Sequence, residues 1–223
     1  VISSSETEDL DWINNWKTFF HPFTVGDLLI KPTWEEVPEE DQDKLVIEID
    51  PGTAFGTGMH ETTQLCIRQL QKYMQAGDEI ADIGTGSGIL GITALKLGAG
   101  HVYGTDLDEE AVPAVHDNLQ ANGLPESCFD MVVGNVIGDD AIKTRMGLGK
   151  YDIVVANILA PVIVLLTAEV GPLLKKGGLF ITSGILDQRE AEVLEAFRQH
   201  EDIWEVLEVN HQGEWVNVTA CRK

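Results

Sequence analysis

The sequence is poor in long apolar runs, in cysteine and in positive charge. No apolar run among its 223 residues approaches the ~20 residues that a membrane-spanning helix needs. The first eleven residues are polar and acidic, so no secretory signal is expected and the sequence favours a cytoplasmic location. The chain begins with Val1 rather than Met, which predicts an excised or processed piece of a longer protein.

The scarcity of metal-binding side chains excludes the common structural metal sites. The three cysteines, Cys66, Cys128 and Cys221, lie far apart and form no CxxC pair, and the six histidines show no HxxxH spacing. An odd, scattered set of cysteines suits a reducing compartment. We therefore predict no metal.

Positive charge is scarce as well. Only 15 Lys and Arg residues stand against 37 Asp and Glu residues, and the formal net charge is −22. Such a field repels phosphate backbones and favours basic partners, although it is equally typical of an ordinary acidic soluble protein. The charge predicts no direct binding of free nucleic acid.

The chain divides into two parts by pattern. Within residues 1–59, the segments 27–34 and 44–50 alternate apolar and polar residues, which predicts a linker with a small β appendage. From residue 60 to 223, helical stretches alternate with short apolar runs, which predicts a catalytic domain of the α/β class. The predicted helices are 60–74, 88–97, 109–122, 161–174 and 187–200, and the predicted strands are 79–83, 101–105, 131–133, 151–156, 179–182, 204–210 and 215–221.

This alternation predicts a seven-stranded, mainly parallel sheet with helices on both faces, a Rossmann-like architecture. Only a short turn, residues 211–213, separates the last two strands, so we expect them to form an antiparallel hairpin at the edge of the sheet. An antiparallel edge at the C-terminus of a doubly wound sheet is typical of methyltransferases.

A glycine-rich turn follows the first strand of this region. The strand passes through Asp82 and leads into Gly84, Gly86 and Gly88, after which a helix begins. Glycines let a ligand approach the backbone, and the helix N-terminus offers free N–H groups. A carboxylate at Asp82 would attract the ammonium of a methionine-type cofactor and repel a pyrophosphate, which favours a methyltransferase.

A second carboxylate, Asp106, ends the next strand, 22 residues after Gly84. That spacing suits a carboxylate that accepts hydrogen bonds from ribose hydroxyls. A helix N-cap is the structural alternative, although Asp108 fills it at least as well. Because residues 86–91 also match GxGxxG, these two signals leave a dinucleotide-dependent enzyme open.

Two further segments bear on that choice. The glycine-rich stretch 50–63 precedes the first core strand, and Phe55, Gly56 and Thr57 within it suggest a lid over a ligand, with an ordinary strand–helix connection as the alternative. Asn157 ends the apolar run 153–156 and is expected to point into the crevice at the carboxyl ends of the strands, where it could orient an amine. A helix cap is the alternative for Asn157.

Together these segments resemble the methyltransferases of ribosomal protein L11, the PrmA family, in order and from about residue 12 to the end. The resembling segments are 50–58, 82–88, 157–160, 183–188 and 214–216. Two departures from the family pattern are Met59, usually Thr, and Glu61, often Pro. Both flank His60 and leave the details of the substrate entrance open.

The resemblance implies the fold of class I S-adenosyl-L-methionine-dependent methyltransferases. It implies cofactor contacts at Thr63, Gly84, Asp106 and Asn157, and N-methylation of lysine side chains and the N-terminal amine of L11. Full-length members carry an upstream substrate-recognition domain, which we expect to be absent here. We therefore expect this chain to bind cofactor but to methylate L11 poorly.

The expected reaction is an in-line attack of a neutral amine on the methyl group of the cofactor, and we expect positioning to contribute more than a dedicated base. His60 is a candidate base, but a cap or a hydrogen-bonded spectator is the commoner role for such a histidine. The rivals are an NAD-dependent oxidoreductase, a methyltransferase for another protein or a small-molecule amine, and a non-catalytic binding module. An enzyme acting on nucleic acid or glutamine amides is less favoured, because Ile158, Leu159 and Ala160 supply no stacking ring.

Overall fold

A computed structural model describes residues 21–50 and 60–223. Within them, a three-stranded sheet is followed by a seven-stranded sheet with helices on both faces. The strands are β1 Phe23–Val25, β2 Leu28–Lys31, β3 Leu45–Glu48, β4 Glu79–Ile83, β5 His101–Asp106, β6 Phe129–Val133, β7 Tyr151–Asn157, β8 Leu174–Leu186, β9 Trp204–Gln212 and β10 Trp215–Arg222. The helices are α1 Glu61–Tyr73, α2 Ile89–Lys96, α3 Ala111–Ala121, α4 Asp140–Met146, α5 Ala160–Glu169 and α6 Glu190–Gln199.

The large sheet has the order β6-β5-β4-β7-β8-β10-β9. Strands β4 to β8 pair in parallel, and β10 pairs antiparallel with both β8 and β9. The expected seven-stranded, mainly parallel sheet and its closing hairpin are confirmed. One detail differs, because the antiparallel strand β10 lies inside the sheet and β9 forms the edge.

The direction in which successive strands are added to the sheet reverses between β6 and β7, at the boundary between β4 and β7. The chain moves outward from β4 through β5 to β6, then returns to the other side of β4 and continues through β7 and β8. In open α/β sheets, ligands bind at the carboxyl ends of the strands where the order reverses in this way. The topology therefore places the candidate site beyond the ends of β4, β5 and β7.

Apolar side chains fill both faces of the large sheet. Helices α1, α2 and α3 contribute to the cluster on one face, and α4, α5 and α6 to the cluster on the other. The small sheet adds Val25, Leu28, Ile30, Ile47 and Ile49 to the first cluster, so residues 21–50 share a core with α1 and α2. The domain boundary expected at residue 60 stays a prediction.

Several element boundaries differ from the sequence expectation. Helix α5 ends at Glu169 rather than 174, because Pro172 has no N–H to continue the helix. Strand β8 is much longer than predicted, and β1 and α4 were not predicted. Among the described residues, no helix is long and apolar enough to cross a membrane.

Candidate functional site

A cavity of about 640 Å³ opens at the carboxyl ends of β4, β5 and β7. This volume lies within the range of small-molecule and cofactor sites. Its wall includes Gly84 and Gly86 after β4, Asp106 at the end of β5 and Asn157 at the end of β7. Four of the predicted site residues therefore meet at one place, because parallel strands end at the same edge of the sheet.

The glycine-rich turn adopts a backbone that only glycine accepts without strain. Gly84, Gly86 and Gly88 have φ values of +71°, +52° and +82°. The N–H groups of Gly84 and Thr85 both donate to the carbonyl oxygen of Thr105, at 2.8 and 3.0 Å, which ties the turn to β5. The turn thus presents exposed backbone to the cavity at the point where α2 begins.

Two glycines also enclose the segment that follows β7. A Cβ atom on Gly84 would lie 2.7 Å from Ile158 Cγ2, and one on Gly184 would lie 2.3 Å from the carbonyl oxygen of Ile158. Neither position has room for a side chain. The close approach of both glycines fixes Ile158, and with it the neighbouring Asn157, against the cavity.

Asp82 lies beneath the turn and not on the cavity wall. Its side chain is 1% exposed, and its Oδ2 accepts hydrogen bonds from Thr85 Oγ1 at 2.8 Å and from Gly91 N–H at 3.0 Å. Burial raises the pKa of this carboxyl to about 6, although the two hydrogen bonds oppose the shift. These two hydrogen bonds give Asp82 a role in holding the turn, and the direct contact with a cofactor ammonium stays a prediction.

Asp106 lies on the wall itself. Its Oδ2 accepts from Gly86 N–H at 2.8 Å, and its Oδ1 accepts from Asp108 N–H at 3.0 Å. A carboxylate has about four lone-pair directions, so two acceptor directions remain for ribose hydroxyls. Asp108 accepts from Glu110 N–H at 3.0 Å in the turn before α3, whose N-cap residue is Glu110 rather than Asp108.

Asn157 is anchored by Thr63. Its amide Nδ2 donates to Thr63 Oγ1 at 3.0 Å, which fixes the orientation of an amide that lines the cavity. Thr63 is fully buried and supports Asn157 from behind the cavity wall, and the cofactor contact that the resemblance implies for Thr63 stays a prediction. The side-chain oxygen Oδ1 of Asn157 is the atom suited to accept a hydrogen bond from an incoming amine.

His60 lines the cavity as the N-cap residue of α1. Its Nδ1 accepts from Thr62 N–H at 3.4 Å, and its ring meets the ring of Trp215 edge-on at 4.7 Å. His60 therefore caps the helix, as the structural alternative for this histidine predicts. Since Nδ1 faces the helix start, proton transfer by His60 would have to use Nε2.

Several residues of the cavity wall are not among the site residues predicted from the sequence. Trp215 follows the β9–β10 turn, Leu107 follows Asp106, and residues 134–137 follow β6. The rule that ligands bind at strand ends could have identified the last two groups, whereas Trp215 arrives from the antiparallel hairpin. The predicted lid residues Phe55, Gly56 and Thr57 lie outside the described residues.

Comparison with known proteins gives a consistent result. The sequence model of the family "Ribosomal protein L11 methyltransferase (PrmA)" matches residues 1–223. A ribosomal protein L11 methyltransferase of Agathobacter rectalis is 59% identical over 99% of this chain and 68% of its own length. One from Clostridium perfringens is 45% identical over 100% of this chain and 68% of its own length.

Two solved structures are similar to the structure of this chain. The crystal structure of a ribosomal protein L11 methylase from Lactobacillus delbrueckii subsp. bulgaricus has a TM-score of 0.80 at 32% identity, covering 92% of this chain and all of that one. A putative S-adenosylmethionine-dependent methyltransferase from Streptococcus mutans has a TM-score of 0.64 at 11% identity, over 99% of this chain and 83% of its own, which shows a shared fold.

Proposed function

Because the chain belongs to the family of ribosomal protein L11 methyltransferases (PrmA), we propose that it methylates lysine and N-terminal amino groups of ribosomal protein L11. The family uses S-adenosyl-L-methionine as its cofactor, so membership of this family argues against the oxidoreductase alternative. The observation that carries the proposal is the single cavity that joins the glycine-rich turn and Asp106 to Asn157.

The residues present fit the cofactor. The backbone at Gly84 and Gly86 would face its methionine part, next to the start of α2, where helix N–H groups favour a carboxylate. Asp106 would accept from the ribose hydroxyls. Apolar side chains of Leu107 and Ile137 on the same wall would cover the flat adenine.

The part of the cavity around Asn157 suits an amine. When bound, the cofactor supplies an electrophilic methyl group on a sulfonium. A lysine has an ordinary pKa of ~10.4 and must lose a proton before it attacks. Apolar Ile158, Leu159 and Val162 line this side of the cavity, and their low polarity would lower the pKa of an entering ammonium. The Asn157 carbonyl oxygen would accept one N–H and direct the lone pair.

Charge supports the choice of partner. A chain of net charge −22 attracts a basic protein and repels nucleic acid, so no direct nucleic-acid binding is part of this proposal. A ribosomal substrate would place the reaction in the cytoplasm. We further propose that residues 60–223 carry the catalytic site and that residues 1–59 form a linker with a β appendage.

The test is transfer of a labelled methyl group. The chain is incubated with methyl-labelled S-adenosyl-L-methionine and purified L11, and mass spectrometry then locates the label. Slow but specific labelling of lysine side chains and the N-terminal amine is expected, since we expect this chain to methylate L11 poorly. Unlabelled L11, in a sample where the chain demonstrably binds S-adenosylhomocysteine, would contradict the proposed substrate, whereas failure to bind it would contradict the cofactor site.

A further inference from the structure

Asn118 on α3 connects the glycine-rich turn to the small sheet. Its side chain is 2% exposed. Its Nδ2 donates to the carbonyl oxygen of Ser87 at 2.9 Å, and its Oδ1 accepts from Asp50 N–H at 2.9 Å. One buried amide therefore holds the turn that lines the cavity and the backbone just beyond β3 at the same time.

Both contacts require an amide. The carbonyl of Ser87 only accepts and the N–H of Asp50 only donates, so the side chain between them needs one donor and one acceptor. An aspartate at position 118 would have nearly the same shape, but its carboxylate oxygen would face the carbonyl oxygen of Ser87. Exchanging Asn for Asp therefore changes one contact while it keeps the size of the side chain.

The contact with Ser87 bears on the shape of the turn. The peptide group that joins Ser87 to Gly88 is planar, so its carbonyl and its N–H point in opposite directions. Gly88 N–H donates to the carbonyl oxygen of Thr85 at 2.9 Å and closes the turn around Gly86, which lines the cavity. A fixed Ser87 carbonyl therefore fixes the peptide plane that closes this turn.

The other end of the bridge is held as well. The carboxylate of Asp50 accepts from Thr33 N–H at 2.8 Å and from Thr33 Oγ1 at 2.7 Å. The backbone of Asp50 is thus anchored to the segment after β2. Asn118 therefore bonds the turn to a braced part of the small sheet and not to a loose chain.

We propose that Asn118 is a positioning residue for the cofactor-binding turn, through which the small sheet contributes to cofactor affinity. This inference rests on the proposed function, since the turn affects the cofactor only if the cavity is its site. Loss of the Ser87 contact would leave the turn free to sample shapes in which Gly86 no longer meets the cofactor.

Asn122, the C-cap residue of α3, supplies a matched control. Its Oδ1 accepts from Glu48 N–H at 2.9 Å, and its Nδ2 donates to the carbonyl oxygen of Glu48 at 2.6 Å. It therefore bonds the same small sheet, and its Nδ2 also donates to the backbone carbonyl oxygen of Asn118 at 2.7 Å. None of these side-chain hydrogen bonds within the described residues joins Asn122 directly to the turn. Comparing the two positions separates an effect on the turn from general loosening of the small sheet.

The experiment measures S-adenosylhomocysteine affinity by calorimetry, and Tm, for the wild-type chain, Asn118→Asp and Asn122→Asp. Asn118→Asp should weaken binding about tenfold or more, the effect of losing one buried hydrogen bond. Asn122→Asp should change affinity less than about threefold, even at an equal loss of Tm. Equal affinities in the two folded variants would overturn the inference alone, whereas a wild-type chain that binds no ligand would overturn the proposed function with it.

If Asn118→Asp does not fold, a measurement on the wild-type chain tests the inference instead. Amide hydrogen exchange is measured by NMR at two backbone N–H groups. Asp50 N–H donates a hydrogen bond to Asn118, and Glu48 N–H donates one to Asn122. Saturating S-adenosylhomocysteine should slow exchange at Asp50 about tenfold more than at Glu48. Equal slowing at both amides would overturn the inference.

Discussion

Replacing Asp106 with alanine tests the assignment of the ribose site. The substitution removes the carboxylate that accepts from Gly86 N–H and Asp108 N–H, and with it both remaining acceptor directions toward the cavity. A hydrogen bond to a charged group contributes about 1.5–3 kcal/mol. Two ribose hydroxyls would therefore lose about 3–6 kcal/mol, which corresponds to an affinity about 10²- to 10⁴-fold weaker.

Calorimetric titration with S-adenosylhomocysteine measures this loss directly. Glu109→Ala is the matched control, because it removes the same charge from an exposed neighbour that does not line the cavity. The control should change affinity less than about threefold, since exposed charges are well screened. Tm should be recorded for both variants, so that unfolding is not counted as lost binding.

Unchanged affinity in a folded Asp106→Ala variant would refute the reasoning. It would mean that the ribose hydroxyls bind elsewhere or face water. An equal loss in Asp106→Ala and Glu109→Ala would also refute it, because a general electrostatic effect would then explain the change.

Three other substitutions test the rest of the site. Asn157→Ala should lower kcat about 10²-fold with a smaller change in S-adenosylhomocysteine affinity, because the amide aligns the amine; an equal loss in both would contradict that role. Gly84→Ala should lower the unfolding free energy by about 1–3 kcal/mol in denaturant titration, because φ is +71° and the new methyl group would lie 2.7 Å from Ile158 Cγ2. The pKa of Asp82 is raised to about 6, so its contribution to stability is fully present below the unfolded pKa of ~3.9 and is lost as the pH rises through the folded pKa. The wild-type chain should therefore lose about 2 kcal/mol relative to Asp82→Asn as the pH rises from about 4 to about 6. A difference that does not vary with pH would show that Asp82 titrates normally.

The sequence predicts those features whose signal is local. Strand β4 matches its predicted range because a short apolar run ends at a glycine-rich turn. The ends of the parallel strands then bring Gly84, Asp106 and Asn157 together, since the topology forces it. Helix α4 escaped prediction because it has seven residues, although Asp139 caps it by accepting from Ala141 and Ile142 N–H.

Other features depend on how deeply a side chain is buried in the fold, which a single sequence does not show. Asp82 and Asp106 both end or nearly end a strand, yet one is buried beneath the turn and the other faces the cavity. Thr63 is close to the site but lies behind Asn157. Trp215 reaches the cavity from a strand more than 50 positions after Asn157, and only the antiparallel insertion of β10 brings it there.

The cavity lies on the seam between the two halves of the large sheet. Gly84 and Asn157, which both line it, are 73 positions apart along the chain. A ligand held there binds only a chain whose halves have already docked, so it shifts the folding equilibrium by about 2.7 kcal/mol at a hundredfold excess over Kd. In a growing cell, the supply of cofactor would thus bear on how long the protein escapes proteolysis, as well as on how fast it works.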